Sequence, residues 1–266
     1  AAGLDQWAGE IVTQAVNGDR DREAGAGVVV FDIETGPRPW EEIAEFFEPP
    51  EHPGEFDSTV VKYGNTKDPE KRQQKLDEAK AAHAATVATF VNKVTAAKAE
   101  FVKEAALSPV TGEVLAIGTI QNGQPIILGD GTRTEADILA TFWGIYTRAT
   151  RANQSMVGFN IFGFDLPFMV RRSWLLDVDI PADVIRDNRY WSRVFIDLMA
   201  IWGLGTYGER IKLDRVAAYF GCTRKSGSGA EFAGLWNEPA TRQQAIDYLK
   251  TDLQVTADVA RKLGVC

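Results

Sequence analysis

Apolar and polar positions along this chain follow two periods, and the places where one gives way to the other mark its elements. Val28-Val29-Val30-Phe31 is a continuous apolar, β-branched run that reads as a buried strand, Val28 to Glu34, ended by Gly36-Pro37. Val114 to Ile120 reads as a second strand, and Asn122-Gly123 is a hairpin turn signal into a third at Pro125–Leu128. A helix follows from about Thr134 to Thr150, then a short strand Ser155–Gly158, then a helix carrying Asp165. Ile211–Phe220 and Arg242–Lys262 have helical spacing. Hairpin strands first, then strands alternating with helices, predict an α/β fold with a mixed sheet covered by helices.

Two stretches stand outside that core. Leu4, Trp7, Ile11, Val12 and Ala15 fall near one face of a helix over 4–16, and Asp19 to Gly27 is a polar linker, so residues 1–26 read as an extension of a core over 27–266. Residues 37–110 read as an acidic and helical insertion after the first strand. Pro37, Pro39, Pro49, Pro50 and Pro53 make its first part irregular. Asp68-Pro69-Glu70 combines a cap, a proline at the first helical position and an acid in the first turn, and opens a pattern running to about Leu107. Unbroken, that helix is ~55 Å long; a break into two helices is the alternative. Its partial stripe of Val87, Phe90, Val91, Val94, Phe101 and Val102 suits a packing scaffold, with a clamp on substrate or a partner surface as the other options.

The 266 residues are 45% hydrophobic and 25% charged, which suits a globular protein with a substantial core. Cys222 and Cys266 form neither a disulfide framework nor a CxxC pair, which points to a reducing, cytoplasmic setting. No apolar run is long enough to span a membrane, and residues 1–25 lack a signal-peptide pattern. The net charge of −8 argues against a protein that coats nucleic acid nonspecifically. Acids crowd residues 41–57, whereas Arg171, Arg172, Arg186, Arg189, Arg193, Arg210, Lys212, Arg215, Arg224 and Lys225 fall in the later half. Such a distribution allows a local basic rim, although solvated surface charge explains most of these side chains.

The chemistry concentrates in acids. Residues two apart on a strand share a face, so Asp32 and Glu34 present two carboxylates side by side. Tyr248 and Asp252, at i and i+4, share a helix face. Adjacent carboxylates repel and are costly to bury unless divalent cations neutralise them, so the pattern suggests a carboxylate-lined metal site acting on phosphodiesters.

Three segments, VVVFDIETG, GFNIFGFDLPF and YLKTD, resemble the Exo I, Exo II and Exo III motifs of the DEDD 3′–5′ exonucleases, which have a ribonuclease H-like fold. The Tyr248-to-Asp252 spacing is that of the tyrosine type. Asn160 through Phe164-Asp165 is similar to the N-x-x-x-F-D pattern of the proofreading domain of family B DNA polymerases, as is LDRVAAYFG followed by Lys225 and glycines. The resemblance covers roughly residues 27–36 and 112–263. It implies a 3′–5′ exonuclease with two divalent cations, Mg²⁺ or Mn²⁺ for an all-oxygen ligand set. Asp32 would bridge the ions, Glu34 and Asp252 would complete the nucleophile-side site, and Asp165 would hold the other through water. Tyr248 would not be a ligand; with Glu34 it would orient the attacking water, because a neutral phenol is a poor base at neutral pH. The substrate implied is a nucleic-acid 3′ end, single-stranded or frayed, DNA favoured over RNA, with a polymerase or a replication or repair protein as partner.

Substrate contacts are read as follows. Thr35 and Gly36 follow Glu34, and a missing side chain at Gly36 would let the terminal nucleotide approach the backbone. Asn160 would bond a sugar or phosphate; Phe164 would wedge against a base or pack in the core. Lys225 would reach the scissile phosphate or be a loop charge. Asp197, Asp214 and Asp247 are assigned structural or surface roles. Gly203 to Gly208 matches G-x-G-x-x-G, yet too little chain follows to build a dinucleotide-binding domain. His52 and His83 lie beside no nucleophile motif, which argues against a hydrolase triad. The rival class is a catalytically silent nucleic-acid-binding or structural module on the same fold. A third option is the proofreading portion of a longer polymerase.

Overall fold

The apolar run at Val28 forms the central strand of a five-stranded sheet. The structure, a computed structural model, describes residues 27–129, 131–186, 194–204, 210–222 and 229–266. The helix read over 4–16, the linker up to Ala26, Lys225 and positions 205–208 of the glycine motif lie outside them. Elements follow in the order β1 (Val28–Pro37), α1 (Trp40–Ile43), α2 (Pro69–Ala105), β2 (Gly112–Gln121), β3 (Gln124–Leu128), α3 (Glu135–Arg151), β4 (Ser155–Gly158), α4 (Asp165–Leu175), α5 (Ala182–Arg186), β5 (Phe195–Asp197), α6 (Leu198–Gly203), α7 (Leu213–Tyr219), α8 (Phe232–Asn237) and α9 (Arg242–Lys262). The chain divides into two compact units, one running up to Pro37 and again from Ala106 to Cys266, the other Arg38–Ala105.

In the first unit the sheet order is β3-β2-β1-β4-β5. The hairpin β2–β3 and the β1–β2 pair are antiparallel, whereas β4 and β5 run parallel to β1, as expected when crossovers through helices return the chain. This mixed sheet, covered by helices on both faces, has a ribonuclease H-like architecture. Alternation along β1 divides the core. Val29, Phe31 and Ile33 pack with Phe142, Tyr146, Phe168 and Met169 of α3 and α4. Val30 packs on the opposite face with Ala116, Ile120, Leu249 and Leu253, so α9 lies against it, and Phe232 and Trp236 of α8 join it. Val157, Leu198, Val216 and Val259 extend that layer beneath α7.

Two polar devices hold the elements. Thr134 caps α3 through the Asp137 N–H, and the Asp137 carboxylate accepts from the Thr134 N–H in return. Arg172 of α4 forks onto Glu135 of α3 at 2.9 and 2.6 Å and donates to the Pro109 carbonyl at 3.2 Å, while Glu135 also accepts from the Val114 N–H at 2.8 Å. This buried pair joins two helices to the start of β2.

In the second unit α2 is one continuous helix, started by the Asp68 carboxylate accepting from the Glu70 N–H. The acidic stretch folds back on it through ring contacts. Trp40 and Phe47 meet Phe101 at 6.2 and 5.5 Å, His52 meets Phe90 at 4.7 Å, and the Lys98 ammonium sits 3.5 Å above the Trp40 ring. Among the described residues no helix is long and apolar enough to cross a membrane.

Candidate active site

β1 is longer than its parallel neighbour: β4 matches it only from Val28 to Val30, while β2 matches it from Val30 to Pro37. The segment of β1 past Val30 therefore leaves the parallel side of the sheet open at the carboxyl end of β4, the edge where open α/β sheets place ligands. Asp32 and Glu34 lie on this segment, on the same face as Val30. Glu34 is buried and Asp32 half-buried.

α9 supplies the groups opposite. Its Leu249 and Leu253 are buried against the sheet, and Tyr248 and Asp252 each precede one of them, so both point along one flank of the helix. One oxygen from each of Asp32, Glu34 and Asp252 lies within 4.8 Å of the others. Asp252 is fully buried. Tyr248 is half-buried and hydrogen-bonds the Asp252 carboxylate. Burial first, then the charges of Asp252 and Glu34, push its phenol far above its usual range, so the hydroxyl stays neutral.

Asp165 reaches the site from the first turn of α4. It is not one of the three clustered carboxylates but lies near Asp32, and its Oδ1 accepts from the Ile33 N–H at 3.3 Å. Burial, and after it the Asp32 charge, raises its carboxyl well above the ordinary range, against backbone hydrogen bonds that favour the charged form. Burial of a carboxyl beside another acid favours its neutral form.

The turn that delivers Asp165 is folded around Asp197. The Asp197 carboxylate accepts from the N–H groups of Asn160 (2.8 Å), Phe162 (3.1 Å) and Met199 (2.9 Å), tying the turn after β4 to the start of α6. Its structural assignment gains a specific content here. Asn160 takes a left-handed backbone at φ 62°, a conformation asparagine tolerates, and its carbonyl accepts from Gly163 and Phe164.

The remaining sequence candidates fall differently. The Thr35 hydroxyl donates to the Ala106 carbonyl at 2.7 Å. Gly36 is buried, and a Cβ there would meet Leu115 Cδ1 at 2.7 Å, so packing occupies the room expected for a nucleotide. Phe164 is half-buried against the α3–α4 core and meets Phe168 at 5.5 Å. Lys225 is outside the described residues. The sequence reading passed over Gly229, where a Cβ would stand 3.7 Å from Glu34 Oε2, which brings the end of the glycine-rich stretch beside the acids. The clustered glycines were a signal; their distance from Glu34 was not.

The cluster fits a hard divalent cation. Mg²⁺ binds oxygens at about 2.1 Å, which places its ligand oxygens roughly 2.9–4.2 Å apart. The three carboxylates need only a small contraction to reach that spacing, and they offer oxygen ligands alone.

Residues 99–257 match the model of a family described as a predicted 3′–5′ exonuclease related to the exonuclease domain of PolB. The matched segment contains Asp165, Tyr248 and Asp252; Asp32 and Glu34 precede it. Among solved structures, a family B DNA polymerase from the hyperthermophilic archaeon Pyrobaculum calidifontis is similar at 25% identity and a TM-score of 0.49, over 60% of this chain and 23% of that one. The chain thus spans less than a quarter of that polymerase's length. No curated protein matches the chain. With more than half of its length matched by the family model, the chain belongs to the family of predicted 3′–5′ exonucleases related to the exonuclease domain of PolB.

Proposed function

We propose that this protein is a metal-dependent 3′–5′ exonuclease that hydrolyses the terminal phosphodiester of a single-stranded or frayed 3′ end, DNA in preference to RNA, and releases nucleoside 5′-monophosphates. The observation that carries the reading is the meeting of Asp32 and Glu34 from β1 with Asp252 from α9, oxygens within 4.8 Å, with Asp165 beside Asp32. Acids from segments this far apart in sequence are not brought together by local structure, and their mutual repulsion opposes folding. A bound cation supplies the compensation.

In this reading Asp32, Glu34, Asp165 and Asp252 hold two divalent cations, Mg²⁺ or Mn²⁺. The ions would lower the pKa of the attacking water and stabilise charge on the attacking and leaving oxygens. Tyr248 contributes position. Its neutral phenol, whose O–H donates to Asp252, would accept a hydrogen bond from the water through its oxygen, and the Glu34 carboxylate would accept from the same water, so the attack line is set before reaction. The phenol removes no proton itself. Thr35, Asn160, Phe164 and Lys225 are proposed to hold the terminal nucleotides through the backbone around Thr35, the Asn160 amide, the Phe164 ring and the Lys225 charge. Residues 27–266 would form the nuclease domain with 37–110 inserted, acting in the cytoplasm with a polymerase or a repair protein.

The test uses end-labelled single-stranded and 3′-recessed strands, deoxy and ribo, with Mg²⁺, Mn²⁺ or chelator. Stepwise shortening from the 3′ end that stops with chelator and with Asp32→Ala is the expected result. Retarded mobility without shortening would assign the chain to the silent binding modules instead.

A further inference from the structure

We propose that Gly118, a residue of β2 with no polar side chain, is a positioning residue that sets the spacing of the acidic site. The inference rests on the metal-site reading above. Gly118 is the direct cross-strand partner of Asp32, and on the same face its neighbours are Ala116 opposite Glu34 and Ile120 opposite Val30. The face therefore drops from a large side chain opposite Val30 to none opposite Asp32 and only a methyl opposite Glu34. α9 seats itself in that hollow. A Cβ at position 118 would lie 2.6 Å from Leu253 Cδ1, and 3.0 and 3.1 Å from Leu249 Cγ and Cδ1. Ordinary carbon contacts are about 3.5–4.0 Å.

The backbone does not itself require glycine here, since Gly118 is not among the glycines with positive φ. The requirement is closeness. Leu253 could swing one methyl aside only within a fully buried layer, and the Leu249 Cγ is a branch point that moves with the helix. An added methyl thus requires Leu253 Cδ1 to turn aside and Leu249 to give by a few tenths of an ångström, which α9 supplies by moving away from β2. Tyr248 and Asp252 are adjacent in sequence to the two leucines and ride on the same turns. Asp32 and Glu34 stay with the sheet. The displacement opens the gap between the two halves of the site while leaving the identity of every one of its side chains unchanged.

Four proteins test this: the wild type, Gly118→Ala, Leu253→Ala, and the double variant, in which the lost isobutyl group makes room for the new methyl. Mn²⁺ affinity is read by calorimetry, exonuclease rate in Mg²⁺ on single-stranded DNA, and fold by circular dichroism. Gly118→Ala is expected to lose about tenfold or more in Mn²⁺ affinity and about 100-fold in rate with its helical content kept. The double variant is expected to return to within about threefold of Leu253→Ala in both, although it carries the same added methyl at position 118. Should Gly118→Ala fail to fold, the comparison of the double variant with Leu253→Ala decides. A folded double variant that binds Mn²⁺ much more weakly than Leu253→Ala overturns the proposal, as does wild-type affinity in Gly118→Ala or a wild type that binds no Mn²⁺. Failure of the exonuclease reading looks different: no strand shortening by any of the four, with the Mn²⁺ pattern intact.

Discussion

Replacing Asp165 by asparagine separates the cost of the acidic site from its use. The carboxyl is buried and its Oδ1 accepts from the Ile33 N–H at 3.3 Å, a bond that an amide oxygen of the same shape keeps. Asparagine removes the charge alone. In the folded protein, burial and then Asp32 raise the carboxyl well above 3.8, the value expected in the unfolded chain. Above that pH the unfolded chain has released a proton that the folded protein still holds. Stability therefore falls as pH rises, beginning near the unfolded pKa and ending once pH passes the folded one. One proton corresponds to about 1.4 kcal/mol per pH unit, which is the upper bound on the slope with which the metal-free wild type loses stability relative to Asp165→Asn above pH 4. Urea unfolding in chelator at several pH values, with both proteins measured side by side, reads the difference. The variant is expected to be the more stable at neutral pH, by a margin that shrinks toward pH 4. Added Mn²⁺ is expected to reverse the order, because the ion stabilises the protein that presents the charged ligand. A margin independent of pH, or a wild type gaining on the variant from pH 4 to 6 in chelator, refutes the account.

Three other perturbations follow from the same geometry. Tyr248→Phe is expected to lower kcat about 100-fold while Mn²⁺ affinity stays within about threefold; comparable loss of both contradicts a positioning role. Because burial and neighbouring carboxylates raise the phenol pKa, wild type and Tyr248→Phe should show kcat–pH profiles of the same shape on the alkaline side, and a limb unique to the wild type would count against a neutral phenol. Arg172→Met leaves the buried Glu135 carboxylate without its guanidinium and is expected to cost about 3–5 kcal/mol of unfolding free energy in urea; a loss below about 1 kcal/mol would assign the pair no stabilising role. Mn²⁺ at 100 times its Kd is expected to stabilise the wild type by about 2.7 kcal/mol, and a shift of the same size in Asp32→Ala would show that the ion binds elsewhere.

Whatever depends on a local period was legible in the sequence, and whatever depends on distance between elements was not. The alternation of β1 puts Asp32 and Glu34 on one face, and the i, i+4 spacing of α9 puts Tyr248 and Asp252 on one flank. Both follow from backbone geometry within a single element. The mixed sheet followed from the hairpin at Asn122-Gly123 and the later alternation of strand and helix. β5, α5, α6 and α8 escaped because three to six residues carry no usable period; their neighbours stabilise them. Asp197 looks like any loop acid until backbone N–H groups from Asn160, Phe162, Met199 and Ala200 are seen to converge on it.

The register of β2 against β1 is the decisive unread quantity. It shifts between Glu34 and Thr35, which leaves Leu115 beneath Gly36 and sets Gly118 opposite Asp32. No local pattern fixes that pairing, since a strand slipped by one residue has the same composition while turning every side chain to the other face. The apolar layer goes with it: this register buries Val30, Ala116 and Ile120 together with Leu249 and Leu253. The contacts that hold mutually repelling acids close together are therefore hydrophobic ones: Val30, two residues before Asp32, packs with Leu253, the residue after Asp252. A substitution in that layer, with no charge and no reach to substrate, is expected to act on the site as strongly as one among the acids themselves.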